Sequence, residues 1–272
     1  MTRLHKVAGA LAVASLGVTL AACGGGSDGD STSSDSTSSD STSSDSDASD
    51  VLRVGTEGTY SPFTFHDPET NDLTGYDVEV ITAVADELGL EVEFSETPWD
   101  AIFAGLEADR FDVIANQVTV NDERVAKYDF STPYTVSTGV AVVPTGSDIT
   151  SEADLSGLTS AQSSTSNWAE VAREAGADVE AVEGFTQAVT LLKQGRVDVT
   201  LNDNLAVLDY LKTSGDTDVE VAFEVGEPSE QAFALRKDSP LTEQIDGALE
   251  TLRENGTLAE ISERWFGEDV SS

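Results

Sequence analysis

The residues numbered 116–134 read NQVTVNDERVAKYDFSTPY and hold one arginine, Arg124, directly after Asp122 and Glu123. A guanidinium offers a planar fork of N–H donors that grips a carboxylate through two parallel hydrogen bonds, which a lysine ammonium cannot do. That carboxylate could be a neighbour's, in an exposed pair of little energetic weight, or it could belong to another molecule. Asp203, in LNDN, poses the same question with the opposite sign. An Asp just before an apolar helical run is an ordinary helix cap, and it is also a natural partner for an ammonium group. Trp99 and Tyr60 carry aromatic faces that cover apolar atoms and attract cations. Trp99 also reads as ordinary core, and Tyr60, in GTYSPF, as a turn residue.

Enzyme chemistry finds little support. From Val51 onward there is one histidine, His66, in the turn-like stretch FHDPETND, so a Ser-His-Asp triad would depend wholly on it. The same part of the chain has no G-x-S-x-G elbow and no glycine-rich phosphate loop. The single cysteine, Cys23, rules out an intrachain disulfide and a cysteine-rich zinc site. No cofactor or metal is expected. Acidic residues number 51 against 14 Lys and Arg, for a net charge of −37. That balance argues against nucleic acid and against adhesion to an anionic membrane by charge. It fits either a solubility device or adaptation to high salt.

The first residues read as an address. MTRLHKVAGALAVASLGVTLAAC has cationic residues at Arg3, His5 and Lys6, then an apolar run over 7–20. That run is short for a membrane span and has the layout of a secretory signal. Leu20-Ala21-Ala22-Cys23 resembles a bacterial lipobox, which implies removal of residues 1–22 and acylation of the Cys23 thiol. Such a chain would sit outside the cytoplasm, anchored to the cell membrane. Residues 23–50 repeat DSTSS in tandem from Asp30, Asp35 and Asp40 and have almost no apolar side chains to offset the entropy of ordering. They read as a self-repelling tether, with a glycosylated stalk also open.

The folded part begins at Val51. Strand, helix, strand, helix and strand are expected in VLRVG, GYDVEVITAVADELGL, EVEFSE, WDAIFAGLEAD and FDVIANQVTV. A second set follows, with strands over 139–144, 158–162, 179–182, 198–202 and 219–223 and helices over 167–174, 185–194 and 205–212. QAFALRK then gives a strand, and LTEQIDGALETLREN and TLAEISERWFG give helices. The pattern predicts an α/β fold of two lobes, each a mostly parallel sheet flanked by helices. Lobe 1 would comprise 51–136 and 232–272 and lobe 2 would comprise 137–231, with hinge crossings near 134–138 and 227–231. Ligands in such sheets bind beyond the carboxyl ends of strands. The loops at Glu57-Gly58, Arg124 and Asp203 would therefore converge on one crevice.

GYDVEVITAVADEL resembles the signature segment of the family 3 extracellular solute-binding proteins, the polar amino acid receptors of ABC importers. EGTYSPFTF, PWDAIFAGLEADRFDVIANQVTVNDERVAKYDFSTPY, LLKQGRVDVTLND and LRENGTLAEISERWFG extend the resemblance from about Leu52 to Gly267. EGTYSPF and NQVTVNDERVAKYDFSTPYT are most similar to the cystine-binding branch. The resemblance implies a type II periplasmic-binding-protein fold closing on an amino acid, with Arg124 on the α-carboxylate and Asp203 on the α-ammonium. It implies Tyr60 and Trp99 over the ligand side chain, Thr119 beside the arginine, and the Gln117 carbonyl as an ammonium acceptor. It also implies Thr165 and Ser166 at a helix N-terminus facing the carboxylate, although Ser164 stands where the family usually has Gly. Glu57 reads as a contact to a distal amine or amide, or as a solvated residue. The implied partners are a polar amino acid, cystine before glutamine or arginine, and an ABC permease, with the receptor acting as a monomer. Two other readings stay open: a dehydratase of prephenate or arogenate on the same fold, and a sensor or antigen lipoprotein.

Overall fold

The computed structural model describes residues 51–271. The leader over 1–22, Cys23 and the tether over 23–50 lie outside the described residues. The first half runs β1 (Val51–Thr56), β2 (Thr59–Tyr60), β3 (Thr64–His66), β4 (Leu73–Thr74), α1 (Tyr76–Leu88), β5 (Glu91–Glu96), α2 (Trp99–Glu107), β6 (Val113–Ile114), α3 (Asp122–Val125) and β7 (Tyr128–Phe130). Next come β8 (Thr135–Pro144), β9 (Thr159–Gln162), α4 (Asn167–Glu174), β10 (Asp178–Ala181), α5 (Phe185–Lys193), β11 (Thr200–Asp203) and α6 (Asn204–Ser214). The chain finishes with β12 (Val219–Gln231), β13 (Ala234–Arg236), α7 (Leu241–Glu254) and α8 (Thr257–Phe266).

The molecule is a two-lobed α/β fold. One sheet has the order β5-β1-β6-β13-β7. Its β5, β1 and β6 are parallel, as βα repeats require, while the returning β13 lies antiparallel to both β6 and β7. The other sheet joins β11, β8 and β12 in antiparallel order, and a Ser160–Val199 bridge brings the parallel pair β10-β9 alongside. Both sheets are mixed, because strands that re-enter from the opposite direction complete each parallel core.

Apolar spacing explains the packing. In α1, Val80, Ile81, Val84 and Ala85 are fully buried against Ile245 and Leu249 of α7 and Leu258 of α8. The helix stops at Gly89, whose φ of 70° is a left-handed cap that a side chain would disfavour. Phe111 fastens α2 to the sheet. Cβ atoms added at Gly55 and Gly105 would come within 2.4 and 2.7 Å of its ring, so the two glycines make the slot that the ring fills.

Several elements depart from the pattern-based reading. FDVIANQVTV is buried, but only Val113 and Ile114 form a strand. Gln117 takes φ 49°, which breaks the extended run, and Thr119 makes a single bridge to Gln231. Arg124 lies in the short helix α3, capped by the Asn121 side chain, instead of in a loop. The hairpin strands β2, β3 and β4 and the edge strand β7 are too short for periodicity to reveal. His66 closes β3 and contacts Glu96 at 3.0 Å and the Asn71 carbonyl at 2.9 Å, so it is more than a solvated turn residue. The strands at the crossings are longer than expected. Strands β8 and β12 stay paired through Ser137–Ser229, Val136–Glu230 and Thr135–Gln231.

The Phe111 slot has a measurable consequence. Phe111→Ala should lower stability by about 3–5 kcal/mol, since two glycines cannot collapse into the space. Urea unfolding followed by circular dichroism checks this, and a loss below about 1 kcal/mol would show that the ring does not hold α2 in place.

Candidate functional site

Strand ends and helix starts meet between the two sheets. A cleft opens there, with about 660 Å³ of empty space that includes solvent at its mouth. Glu57 and Tyr60 reach it from the segment after β1, Trp99 from the start of α2, Gln117 and Thr119 from the irregular run after β6, Ser166 from the entrance to α4, and Asp203 from the end of β11. Arg124 and Thr165 line an adjoining hollow that shares Ser166 and Asn167 with the cleft.

Arg124 is 7% exposed. Its Nη1 donates to the Thr119 carbonyl at 2.9 Å, and its guanidinium lies 5.2 Å from the Trp99 ring centre and 5.5 Å from that of Phe103. Glu123, the neighbour that might have paired with it, bonds Lys127 at 2.8 Å. Among the described residues no carboxylate lies within ion-pair distance of Arg124. Burial pulls its pKa down to about 10, so it remains a cation at neutral pH. Glu123 and Glu170 favour its charge from beyond ion-pair distance, so among the described residues no carboxylate grips the fork itself.

Asp203 does cap a helix. Its Oδ1 accepts from the Leu205 N–H at 2.9 Å, and its Oδ2 accepts a short hydrogen bond from Ser137 Oγ on β8. It also lines the cleft, where burial pushes its carboxyl up to about 6. Glu57 is pushed up to about 7, chiefly by burial, against the stabilising effect of the Asn116 Nδ2 bond at 2.7 Å. None of the residues lining the cleft is Lys or Arg, so its walls carry carboxylates of one sign. Such walls suit a ligand with cationic groups.

The lower wall is held by a residue the sequence reading did not single out. Asp77, fully buried at the start of α1, accepts from the Gln117 N–H at 2.5 Å, from Gln117 Nε2 at 3.0 Å and from the Tyr134 hydroxyl at 2.9 Å. Burial lifts it to about 7. Trp99 Nε1 and Gln117 Oε1 are buried without a hydrogen-bond partner among the described residues, and both residues line the cleft. Tyr60 spans the opening: its hydroxyl donates to Asn202 Oδ1 at 2.7 Å, and its ring packs 5.0 Å from Phe63.

The signature of the bacterial extracellular solute-binding proteins, family 3, matches residues 52–268. The chain belongs to that family. It is 55% identical to the L-cystine-binding protein TcyA of Bacillus subtilis, over 93% of this chain and 94% of that one. Among solved structures it is 46% identical to the L-cystine solute receptor of Neisseria gonorrhoeae in its unliganded open conformation, covering 82% and 94% of the two chains with a TM-score of 0.56. An ancestral arginine-binding protein bound to arginine is less similar in sequence, 37%, over 80% and 99% of the chains, yet overlays at 0.75. The relatives are binding proteins, and this family 3 member is a binding protein and not an enzyme. The greater overlay on a liganded relative accords with the Tyr60–Asn202 bond across the cleft.

Other residues of the solute-binding protein's cleft escaped the sequence reading. Asn116 fixes Glu57 twice, through its side-chain amide and by accepting from the Glu57 N–H at 2.8 Å. Its place in NQVTV was the available signal. Trp168 and Phe185 add aromatic surface from α4 and α5, but a Trp on a helix reads equally as core.

The raised carboxyls give the ligand-free protein a pH signature. Asp203 folded near 6, against an ordinary value of 3.8, favours the folded state below about pH 4 and loses that contribution as pH climbs through about 6. Asp77 and Glu57 have the same sign up to about 7. Asp216, lowered to about 2 by Lys193 and Tyr210, acts only at more acid pH, and His66, raised from 6.5, acts only above that value. Thermal midpoints of the ligand-free protein should therefore fall between about pH 5 and 7, and Asp203→Asn should make the fall shallower. Superimposable wild-type and Asp203→Asn profiles would exclude Asp203 as a contributor.

Proposed function

We propose that this protein is a membrane-anchored receptor that binds a polar amino acid, L-cystine first, between its lobes and hands it to the permease of an ABC importer. The observation that carries the reading is a pair of buried, opposite charges, Asp203 in the cleft and Arg124 in the hollow that shares Ser166 and Asn167 with it. Arg124 has no carboxylate partner among the described residues, and Asp203 has no cation, being held by Ser137 and a helix N-terminus. An amino acid supplies the missing carboxylate and the missing ammonium at a fixed spacing. Glu57 adds a second carboxylate, and a cystine molecule has a second ammonium group to meet it. The similarity to TcyA supports that choice of ligand. Gln117 would offer its carbonyl to the ammonium, Thr119 and Ser166 would flank the carboxylate, and Tyr60 and Trp99 would cover the disulfide.

In this reading 51–136 with 232–272 form one lobe and 137–231 the other, closing about crossings near 134–138 and 227–231. Cys23 carries the lipid, residues 23–50 form the tether, and the receptor works as a monomer outside the cell.

Removing one member of a buried, hydrogen-bonded charge pair costs about 2–5 kcal/mol. Calorimetry with L-cystine should show Arg124→Ala binding roughly 30-fold or more weakly, and Arg124→Lys should recover little because the fork is lost. Wild-type affinity in Arg124→Ala would place the ligand carboxylate elsewhere.

The second carboxylate gives a separate test. Glu57→Gln should weaken L-cystine more than S-methylcysteine, which has one ammonium group. Equal losses for the two ligands would remove Glu57 from any contact with a second head. Anchoring is tested by fractionation: Cys23→Ser should appear in the medium or stay unprocessed, and a cleaved Cys23→Ser protein that remains on the membrane would refute the lipid anchor.

A further inference from the structure

The first turn of α2 and the entrance to α4 face each other across the mouth of the cleft. The residue that joins them is Asp100. Its Oδ1 accepts from the Thr165 N–H at 3.0 Å and from Thr165 Oγ1 at 2.8 Å, while its Oδ2 accepts from the Ser164 N–H at 3.3 Å. Two successive backbone N–H groups and a hydroxyl therefore converge on one carboxylate, an arrangement that suits an anion. Asp100 also stands where two helix ends place partial positive charge, the first turn of its own α2 and the approach to α4.

The contact reaches the cleft through its neighbours. Trp99, next to Asp100, lines the cleft, and so do Ser163 and Ser166, which bracket the bonded pair. Ser163 and Ser166 are tied into one turn by the Ser166 N–H donating to the Ser163 carbonyl at 3.0 Å. Ser166 Oγ in turn caps α4 through the Ala169 N–H at 3.1 Å. Fixing Ser164 and Thr165 thus fixes the wall on both sides of them. It also engages the Thr165 N–H and hydroxyl with Asp100, so in this arrangement neither is offered to a ligand carboxylate. Tyr60–Asn202 at 2.7 Å and Ser61–Asp209 at 3.0 Å are further bonds across the opening, and they reach the other wall at β11 and α6. The Asp100 contact is at the entrance to α4, on the rim shared with the Arg124 hollow.

We propose that Asp100 is a positioning residue for ligand capture, a clamp that seizes the Ser164–Thr165 turn of the opposite wall, sets Ser163 and Ser166 against the bound molecule and slows its escape. Its role in capture rests on the reading that an amino acid binds in the cleft; the clamp itself does not. Asp100 acts on the lifetime of the closed state and not on the encounter, because ligand enters before the two walls meet.

The test uses the full chain with Asp100→Ala and Asp100→Asn. Amide hydrogen exchange without ligand should speed up about tenfold over the peptide holding Ser164 and Thr165 in Asp100→Ala. The effect should be smaller in Asp100→Asn, whose amide oxygen still accepts one bond. Stopped-flow tryptophan fluorescence with L-cystine should show dissociation about threefold to tenfold faster in Asp100→Ala, the range suited to solvent-exposed bonds to a charged acceptor, with the association rate nearly unchanged. Far-UV circular dichroism and thermal melting confirm the fold of each variant. Unchanged exchange in a folded Asp100→Ala overturns the clamp. Faster exchange with an unchanged L-cystine dissociation rate overturns its role in capture. If L-cystine fails to bind the wild type, the ligand assignment falls and the exchange result alone upholds or overturns the clamp.

Discussion

The carboxylate of Asp77 is the interaction on which the rest of the cleft hangs. It begins α1, is fully buried, and has no cation beside it among the described residues. Its hydrogen bonds go to Gln117, beneath the cleft, and to Tyr134, where the chain leaves the first sheet. Tyr134 is held from a second side, since the Tyr76 hydroxyl donates to its carbonyl at 2.9 Å. One acid thus couples the start of a helix, a residue at positive φ and the first crossing. A buried acid satisfied this way specifies geometry more than it adds stability, because every bond it makes offsets its own desolvation.

The cleft carries a surplus of negative charge, and the buried cation Arg124 stands apart from it. Glu57 and Asp203 face the enclosed space while Arg124 lies over Trp99 and Phe103 in the neighbouring hollow. Aromatic faces favour a guanidinium without neutralising it, so the arginine keeps its capacity for a carboxylate. The protein as a whole is also strongly acidic, and burial holds the carboxyls of Glu57, Asp77 and Asp203 above their ordinary pKa.

Much of the scaffold was legible because it is periodic. The span of α4 agrees with its apolar spacing, and Gly89 marked the end of α1 before the left-handed cap was seen. What periodicity could not supply is short or non-local. The two-residue strands carry too few positions for a pattern, and the break at Gln117 depends on Asp77, forty positions earlier. At the site, charged residues were easy to nominate from the resemblance, and the structure brings most of them to one cleft. Asn116 and Asp100 were invisible because their meaning lies in the partner across the gap: an amide bonded to Glu57 and a carboxylate bonded to Ser164 and Thr165. A helix-starting Asp in an acidic chain looks like any other.

The two crossings, finally, are rungs of one ladder. Thr135, Val136 and Ser137 pair with Gln231, Glu230 and Ser229, and beyond a register shift between Val225 and Ser229 the same β8–β12 ribbon places Gly139 opposite Val225. A strand shifted by one residue turns every side chain to the other face. Ser137 Oγ holds the Asp203 carboxylate from within that ribbon, and the extra residues of the shift lie on β12, so it is an insertion or deletion in β8 beside Ser137 that would rotate the serine away and strip the acid of its partner. Loop lengths elsewhere in such a molecule can drift, but the short run of β8 from Thr135 to Gly139 is a ruler, and the place of the Asp203 carboxylate is marked on it.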